Sequence, residues 1–487
     1  MRRKRRNKGI LAGVLICFLL LSGAVSGCTA REAEGEGTDP SAAVTTQKDE
    51  SEMTEGVTDT EAEEMAGEGL QEEELIELSA EYARQMAEGD FETITQSFSD
   101  AMKEQLSSPE LAKAWEDSVR DLGSYIGLND TKVIYQNGYV GVTIILEYEE
   151  NGLSVLFTYN QSGKLDQLWI TYSTIAKPTV TECFREISIE IGDSEYPVEG
   201  ILTVPNDVEN PPVVILVHGS GQHDMDETIG AAGNKPFRDL AHGLAKQGIA
   251  VIRYNKRYYQ YPEMVSSTVT IEDEVLDDVA AAIRFAGEQE NLDTDRLIVI
   301  GHSLGGMLVP KIAQDNEEVD GIVIMAGSPR RLEDIILDQN REAIQAIENM
   351  SEEEKAELLS QVEEEAAKVR NLTDEQLDEP IFGMTGYYWK SLNEIDTAQI
   401  GKELEIPVLI LQGEADFQIH ADVDYVQWQG LLMGKSNVEF RLYPNLNHMF
   451  MPTGGYMTEE DYAAENQLDE QVINDIAEWI ARTENRE

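Results

Sequence analysis

The chain has 487 residues, of which 93 are acidic and 37 are basic, and its formal net charge is −56 at pH 7. Nucleic-acid-binding proteins present basic stripes to phosphate groups, so this charge argues against a nucleic-acid partner and against polyanionic substrates. The length exceeds that of an average single domain, and the acidic excess is interpreted as a solubilising surface charge.

The first 28 residues have the three parts of a secretory signal peptide. A basic stretch, MRRKRRNKG, is followed by the apolar run ILAGVLICFLLLSGAV and then by the small residues SGC. This order predicts export of the remainder of the chain. The alternative is an uncleaved membrane anchor, because the apolar run approaches the roughly 20 residues that span a bilayer.

The sequence VSGC, which ends at Cys28, resembles the lipobox of bacterial lipoproteins. The resemblance implies that Cys28 receives a diacylglyceryl thioether and anchors the protein to the outer face of the cell membrane. Two acyl chains would hold the protein stably, whereas one chain alone is marginal. Since Cys17 lies in the apolar run, only Cys183 remains, and the mature chain can form neither an intramolecular disulfide nor a cysteine-based metal site.

Residues 29–70 are rich in Asp and Glu and have almost no large apolar side chains. Such a segment cannot bury enough surface to offset the entropy lost on ordering. We therefore predict a disordered acidic tether between the lipid anchor and the folded part.

Residues 71–175 are predicted to form a small α+β domain. Apolar residues recur at helical spacing from Leu75 to about Trp115, and after Gly127 the period changes to two. Asn-Gly and Ser-Gly steps separate the alternating segments and predict an antiparallel meander. The segment contains no histidine. It resembles an uncharacterised module that precedes hydrolase domains in exported bacterial proteins, which implies an accessory or binding role with an unknown partner.

Residues 180–487 show a different pattern, in which short apolar runs alternate with amphipathic helices. EISIEI and GILTV alternate and predict a hairpin. The later runs are VVILV, IAVIR, LIVI, GIVIM, VLIL and VEFRLY. Strands without alternation are buried on both faces, and helices between them make crossovers, so these residues predict a doubly wound, mostly parallel α/β sheet.

The connection from GIVIM to VLIL is far longer than one crossover helix requires. It carries two apolar stripes and, between them, a capping box at Ser351 to Glu354. The stripes consist of Leu332, Ile335, Ile336, Ala343 and Ile347, and of Leu359, Val362, Ala366 and Val369. We predict an inserted helical lid at about residues 330–400; the alternative is a surface helical hairpin without a gating function.

The pentapeptide Gly301-His302-Ser303-Leu304-Gly305 fits the G-x-S-x-G pattern of a nucleophile elbow. It follows the strand LIVI and opens the helix GGMLVPKIAQ, which is the context that such an elbow requires. Ser303 is therefore the predicted nucleophile. His302 is interpreted as a packing residue.

A serine hydroxyl needs a neutral imidazole as its base and a carboxylate that orients the imidazole. Among the six histidines, only His448 lies in a loop just after the last strand, at the carboxyl edge of the sheet. Asp416 follows the strand VLIL, and the order Ser, Asp, His is that of α/β-hydrolases. Glu414 is the nearest rival acid, but its position in the turn makes it the weaker candidate.

An oxyanion hole needs two N–H donors. We predict that one is the backbone amide of Leu304, the residue after the nucleophile. The other is expected in the turn at residues 218–221, called here the oxyanion turn. Ser220 is the preferred donor and Gly221 its close rival.

Two further groups of residues admit a functional and a structural interpretation. His218, His223, Asp224 and Asp226 are potential metal ligands, but their spacing matches no familiar site and a structural role is favoured. The tyrosine-rich segments 253–262 and 386–390 are expected either to line a substrate pocket or to pack in the protein.

From about Phe184 onward the chain resembles the α/β-hydrolase superfamily, nearest to its dienelactone-hydrolase-like and acyl-esterase branch. The resemblance is carried by LVHGSGQHDMDETIG, NKPFRDLAHGLAKQGIAVIRYNKR, IGHSLGGML, LILQGEADFQI and YPNLNHMF. It implies an eight-stranded sheet and a serine hydrolase that cleaves small-molecule carboxylic esters through an acyl-enzyme, without a metal or organic cofactor. Relatives often have Asp at the position of Asn255, so no role is assigned to that side chain.

Two alternatives stay open. The same constellation can cleave thioesters or peptide bonds, or transfer an acyl group to an alcohol. Outside the hydrolases, the chain would be a surface binding protein with an inactive hydrolase fold. Against the second alternative, every position that a catalytic triad needs is filled.

Overall fold

The computed structural model describes residues 72–483, apart from short gaps. The gaps are residues 121, 137–138, 150, 161, 174–177, 193–195, 231, 348–349 and 457. The predicted signal peptide, Cys28 and the predicted tether lie outside the described residues. The described residues form two compact units, 72–173 and 178–483. No helix within these residues is long and apolar enough to cross a bilayer.

The first unit consists of helices followed by an antiparallel sheet, as predicted. Its helices are α1 (Glu72–Glu88), α2 (Glu92–Gln96), α3 (Asp100–Gln105) and α4 (Ser108–Val119). Its strands are β1 (Tyr125–Gln136), β2 (Tyr139–Tyr148), β3 (Gly152–Tyr159) and β4 (Leu165–Ser173), which pair in chain order. Strand β1 begins two residues before the predicted change of period.

The alternation in β2 and β3 explains why this sheet has one covered face. Successive side chains of a strand point to opposite faces, and every second residue of these two strands is buried. Val142, Ile144, Val155 and Phe157 are fully buried in a core that also contains helix residues such as Met86. The intervening residues of the same strands are only partly buried.

The second unit contains an eight-stranded, mostly parallel sheet, which confirms the predicted fold class. Its strands are β5 (Phe184–Ile191), β6 (Val198–Pro205), β7 (Pro212–Val217), β8 (Ala250–Tyr254), β9 (Asp293–His302), β10 (Gly321–Met325), β13 (Val408–Gly413) and β14 (Val438–Tyr443). Their order is β14-β13-β10-β9-β7-β8-β6-β5. In this sheet β6 pairs antiparallel with β5 and with β8; the remaining neighbours are parallel.

Helices cover the sheet; they connect its parallel strands, except for the last helix, which follows the last strand. They are α5 (Pro236–Lys246), α6 (Arg257–Gln260), α7 (Asp277–Gly287), α8 (Leu304–Asp315), α12 (Thr397–Glu403), α13 (Val426–Leu432) and α14 (Glu470–Thr483). Two apolar cores flank the sheet, and neighbouring residues of one strand enter different cores. In β7, for example, Val213 and Ile215 belong to one core and Val214 and Leu216 to the other, which is why this strand shows no apolar/polar alternation.

Strand register brings the ends of the central strands together. Val217 at the end of β7 pairs with Gly301 of β9, and Met325 at the end of β10 pairs with His302. Loops that leave β7, β9 and β10 therefore start at the same edge of the sheet. This is the edge at which open α/β sheets bind their ligands.

The long connection between β10 and β13 is a helical insertion, here called the inserted segment (residues 330–400). It consists of α9 (Leu332–Ala346), α10 (Glu352–Arg370), the two-residue strands β11 (Pro380–Ile381) and β12 (Met384–Thr385), and α11 (Gly386–Asn393). Ser351 forms the predicted capping box with Glu354. The buried face of α9 differs from the prediction at one point, because Ile344 is buried whereas Ala343 and Ile347 are only partly covered.

Candidate active site

Ser303 lies in a strained turn between β9 and α8. Its backbone has φ 55° and ψ −114°, a conformation that is rare for residues other than glycine. Its amide donates a hydrogen bond to the Met325 carbonyl oxygen at 2.9 Å, which attaches the turn to the end of β10. Strained backbone of this kind concentrates at functional sites.

The glycines around Ser303 are required by close backbone contacts. A Cβ atom at Gly301 would lie 2.3 Å from the Gly305 carbonyl oxygen, and one at Gly305 would lie 2.3 Å from the Val217 carbonyl oxygen. Neither contact leaves room for a side chain. The flanking glycines therefore allow β7, β9 and α8 to approach each other at the elbow.

His448 and Asp416 are in direct contact. The His448 Nδ1 atom lies 2.8 Å from the Asp416 Oδ2 atom, and both side chains are buried. His448 and Ser303 line the same cavity. The structure thus brings together the three predicted triad residues, from loops that are far apart in sequence.

The Asp416 carboxylate is held by several further donors. Its Oδ1 atom accepts hydrogen bonds from the amides of Gln418 and Ile419, and its Oδ2 atom accepts one from Gln412 Nε2. Burial alone would raise the pKa of Asp416, but His448 and the backbone amides of Ile419 and Gln418 hold the pKa below its ordinary value. The rival acid, Glu414, is exposed and has no contact with His448 among the described residues.

The two predicted oxyanion donors, Ser220 and Leu304, line the same cavity as Ser303. Within the described part of the chain, neither backbone amide has a hydrogen-bond partner. The amide of Gly219, by contrast, donates to Glu227 Oε1 at 2.7 Å. Gly221 has φ 96°, which explains the glycine at that position.

Sequence reasoning missed Glu227, which is 1% exposed and lines the cavity. Its Oε1 atom lies 3.0 Å from His302 Nδ1, and His302 Nε2 lies 3.0 Å from the His448 carbonyl oxygen. Both ring nitrogens of His302 face acceptors, so the imidazole is protonated. His302 is buried, as predicted, but it is one half of an ion pair and does not merely fill space.

The pKa of Glu227 is lowered and the pKa of His302 is raised. Burial would raise the pKa of Glu227, but the charge of His302 and its hydrogen bond lower the pKa to about 2. Burial would lower the pKa of His302, but the charge of Glu227 and hydrogen bonds to Glu227 and His448 raise it. The backbone of Glu227 has φ 52°, which is uncommon for a residue other than glycine. In the sequence, Glu227 is marked only by its place nine residues after His218.

The cavity beside Ser303, here called the catalytic cavity, encloses about 670 Å³, part of it open to solvent. Helix α9 of the inserted segment supplies Leu332, Ile335, Ile336 and Gln339 to its wall. Gln339 Nε2 also donates to the Gln418 carbonyl oxygen at 2.9 Å. The inserted segment therefore covers the predicted nucleophile, which is the position expected of a lid.

The tyrosine-rich segments do not reach the catalytic cavity; none of their described residues line it. Tyr258 and Tyr388 are buried in the core on one side of the sheet. For these segments the packing interpretation is the one that the structure supports.

The four potential metal ligands also have structural partners. His218 Nε2 faces the Asp224 carbonyl oxygen at 3.0 Å, and His223 Nε2 faces the Ser220 carbonyl oxygen at 2.7 Å. The Asp224 carboxylate accepts from the amide and hydroxyl of Thr228. Asp226 is paired with the guanidinium of Arg253, as well as with Lys235. Across the described residues, no group of three His, Cys, Asp or Glu side chains could hold a metal ion.

Two family profiles match the chain. One, described as serine aminopeptidase S33, matches residues 209–452, and the other, described as a protein of unknown function (DUF3887), matches residues 79–168. A curated relative, esterase EstD of Thermotoga maritima, is 31% identical over 82% of this chain and 94% of its own length. These matches confirm the resemblance to α/β-hydrolases and place a module of unknown function ahead of the hydrolase part.

Solved esterase structures resemble the hydrolase part more distantly. Est1E from Butyrivibrio proteoclasticus is 16% identical, with a TM-score of 0.40 over 61% of this chain and 99% of that chain. The Pyrococcus furiosus esterase PF2001 is 15% identical, with a TM-score of 0.39 over 61% of this chain and 91% of that chain.

Proposed function

The chain belongs to the serine aminopeptidase S33 family of α/β-hydrolases and is a serine hydrolase, and from this we propose that it cleaves carboxylic esters with a Ser303-His448-Asp416 triad. The observation that carries the proposal is the 2.8 Å contact between His448 Nδ1 and Asp416 at the wall of the cavity that Ser303 lines. The esterase relative supports ester substrates.

The proposed reaction begins with attack of the Ser303 hydroxyl oxygen on the ester carbonyl carbon. Nε2 of His448 takes the serine proton, while Asp416 stabilises the imidazolium that forms. The negative oxygen of the tetrahedral intermediate accepts hydrogen bonds from the amides of Leu304 and Ser220. His448 then gives its proton to the departing alcohol, which leaves an acyl group on Ser303. Water, deprotonated by His448, releases the acid.

The protein environment favours each part of this reaction. Asp416 is buried and ionised, so it holds the Nδ1–H tautomer of His448 and leaves Nε2 free to accept a proton. The two amides assigned to the oxyanion have no other partner in the described structure. Preorganised donors of this kind cost no reorganisation during the reaction.

The proposal is tested by labelling the purified protein with a fluorophosphonate and locating the adduct by mass spectrometry. Hydrolysis of p-nitrophenyl acetate, butyrate and octanoate is measured in parallel. We expect one adduct, on Ser303, and a burst of p-nitrophenol, both absent from Ser303→Ala. Ester turnover that survives in Ser303→Ala contradicts the proposed nucleophile.

Aminopeptidase activity is the second candidate, because the matching family is described by that activity. Such an enzyme needs an acceptor for the substrate ammonium group. Among the described residues that line the catalytic cavity, Glu227 is the only carboxylate, and it is paired with His302. Ester substrates are therefore favoured. Comparison of p-nitrophenyl esters with aminoacyl p-nitroanilides decides between the two, and faster cleavage of the anilides would favour the peptidase.

We further propose that the enzyme is exported and lipid-anchored through Cys28 on the outer face of the cell membrane. The proposal is supported by the order of basic, apolar and small residues that ends at Cys28. Cells fed an alkynyl fatty acid should label the wild-type protein and not Cys28→Ser. Equal labelling of both proteins would contradict the anchor.

A further inference from the structure

The peptide unit between Gly219 and Ser220 is held by a buried lysine. Lys256 Nζ donates a hydrogen bond to the Gly219 carbonyl oxygen at 3.0 Å, and Lys256 is 4% exposed. The carbonyl of Gly219 and the N–H of Ser220 belong to the same planar peptide unit. The described peptide bonds are all trans, so these two groups point in opposite directions.

We propose that Lys256 is a positioning residue that aims the Ser220 N–H at the oxyanion. The inference rests on the proposed esterase function, and it gives a role to a residue of the RYNKR segment that the triad leaves unexplained. Lys256 does not line the catalytic cavity; it lines a separate, smaller cavity with His218 and Tyr254. Because the Gly219 carbonyl points towards Lys256, the Ser220 N–H points away from Lys256 and from the smaller cavity.

The next peptide unit supports Ser220 over Gly221 as the donor. The Ser220 carbonyl oxygen faces His223 Nε2 at 2.7 Å, and His223 lines the catalytic cavity. By the same planar geometry, the Gly221 N–H points away from His223. In the peptide unit that contains the Ser220 N–H, the carbonyl is bound by Lys256, which lies outside the catalytic cavity. Ser220 is therefore the better placed of the two donors.

Gly219 is held from both sides by groups of opposite charge. Its N–H donates to the Glu227 carboxylate at 2.7 Å, and its carbonyl accepts from the Lys256 ammonium. Hydrogen bonds to ionised partners are stronger than neutral ones, and hydrogen bonds in series polarise one another. The ammonium therefore both fixes the Ser220 N–H and makes it a stronger donor.

Lys256 is itself held by a carboxylate that also contacts the inserted segment. Its Nζ atom lies 2.5 Å from Glu274 Oε1, and Glu274 is also hydrogen-bonded by Tyr388 of α11. A second contact joins the same elements, because the Ile271 amide donates to Ser391 Oγ at 2.9 Å. The oxyanion turn is thus connected through Lys256 and Glu274 to the segment that covers the catalytic cavity.

The test separates oxyanion binding from ordinary ligand binding. A butyl trifluoromethyl ketone is attacked by Ser303 to give a hemiketal whose negative oxygen occupies the oxyanion site, with the serine proton on His448. The corresponding secondary alcohol forms no such oxygen. In Lys256→Met we expect kcat for p-nitrophenyl butyrate and the affinity for the ketone to fall by about 10- to 100-fold. A misaimed donor should cost less than the complete loss of one.

In the same variant we expect KM and the affinity for the alcohol to change by less than about threefold. Lys256→Arg keeps a cation and should recover part of the ketone affinity. Arg257→Met is the matched control, because it removes a neighbouring, partly buried cation that pairs with Asp278 and does not contact the turn. It should lower the melting temperature without changing the ratio of ketone to alcohol affinity.

Equal losses of ketone and alcohol affinity in Lys256→Met, or no loss of either, would overturn the inference. If Lys256→Met does not fold, the same affinities are measured for Glu274→Gln and Lys256→Arg. A loss of affinity for the ketone but not for the alcohol supports the inference. Unchanged affinity for the ketone overturns it. Failure of the proposed function looks different, since the wild-type protein would then neither bind the ketone nor be labelled at Ser303.

Discussion

The Glu227 carboxylate and the His302 imidazole form a buried ion pair in the wall of the catalytic cavity, with 3.0 Å between Oε1 and Nδ1. The same carboxylate oxygen accepts the Gly219 N–H, and the other nitrogen of His302 faces the His448 carbonyl oxygen. One ion pair therefore ties the oxyanion turn, the nucleophile elbow and the loop of the proposed base to each other.

Replacement of Glu227 by Gln should destabilise the fold. The amide can still accept the Gly219 N–H, but it leaves His302 without a counter-charge in a buried position. We expect a loss of about 1–3 kcal/mol in the free energy of unfolding, the range for an unsatisfied buried polar group. Urea denaturation at pH 6 measures it. An unchanged midpoint and slope would show that the pair adds nothing to stability.

The pH dependence of that loss follows from the two pKa shifts. Glu227 has its pKa lowered to about 2 in the folded protein, so its contribution is present above about pH 4.3 and is lost as the pH falls towards 2. His302 has a raised pKa, so its contribution is present below about pH 6.5 and is lost as the pH rises through the folded value. The stability difference between wild type and Glu227→Gln should therefore be largest between about pH 4.5 and 6.5. A difference that does not vary with pH would contradict the ion pair.

Asp416→Asn should lower kcat by about 10⁴-fold with little change in fold, because the amide no longer fixes the productive tautomer of His448. Glu414→Gln is the matched control, since Glu414 is an exposed acid two residues away. It should retain wild-type activity. Steady-state kinetics with p-nitrophenyl butyrate compare the two, and a comparable loss in both variants would reopen the choice of acid.

Residues of α9 should set the acyl-chain preference. Ile336 lines the catalytic cavity, so Ile336→Ala enlarges it and should raise kcat/KM for octanoate relative to acetate. A pocket change of this size shifts specificity by about 10-fold. Val362→Ala is the matched control: Val362 is buried in α10 but does not line the cavity. An equal shift in both variants would mean that the inserted segment acts through stability alone.

Gly305→Ala should unfold or strongly destabilise the hydrolase part, because the new Cβ would lie 2.3 Å from the Val217 carbonyl oxygen. The cost should reach at least the upper end of the roughly 1–3 kcal/mol that overpacked sites with backbone shifts show. Gly287→Ala, at the last residue of α7, meets no atom within 4 Å and should stabilise the protein by up to about 0.5–1 kcal/mol. Thermal melts of both variants measure the two changes in stability. Equal melting temperatures would show that the elbow tolerates a methyl group at Gly305.

Much of the fold and the proposed triad could be predicted from local patterns. Apolar runs identified the parallel strands because strands buried on both faces need no alternation. The glycines around Ser303 marked the elbow because no side chain fits there. Chain order then pointed to Asp416 and His448, since the fold places the loops after these strands at one edge of the sheet.

The partners of Gly219 could not be found in this way. Glu227 and Lys256 meet the oxyanion turn, and Glu274 meets Lys256, only because the loops after β7 and β8 and the segment just before α7 lie side by side in the folded chain. Nothing in the residues nearest to each of them in sequence marks it as charged and buried. The same holds for His302, whose position before the nucleophile indicated packing and whose charge depends on a carboxylate 75 positions earlier in the chain.

The sequence by itself determined which backbone segments form the sheet and which side chains can carry out nucleophilic chemistry, because periodicity and turn geometry are local properties. Only the tertiary structure decided which charges are buried together and which peptide units they orient. The energy of a charged group depends on its burial and on its partners, and both are set by residues that are distant in sequence.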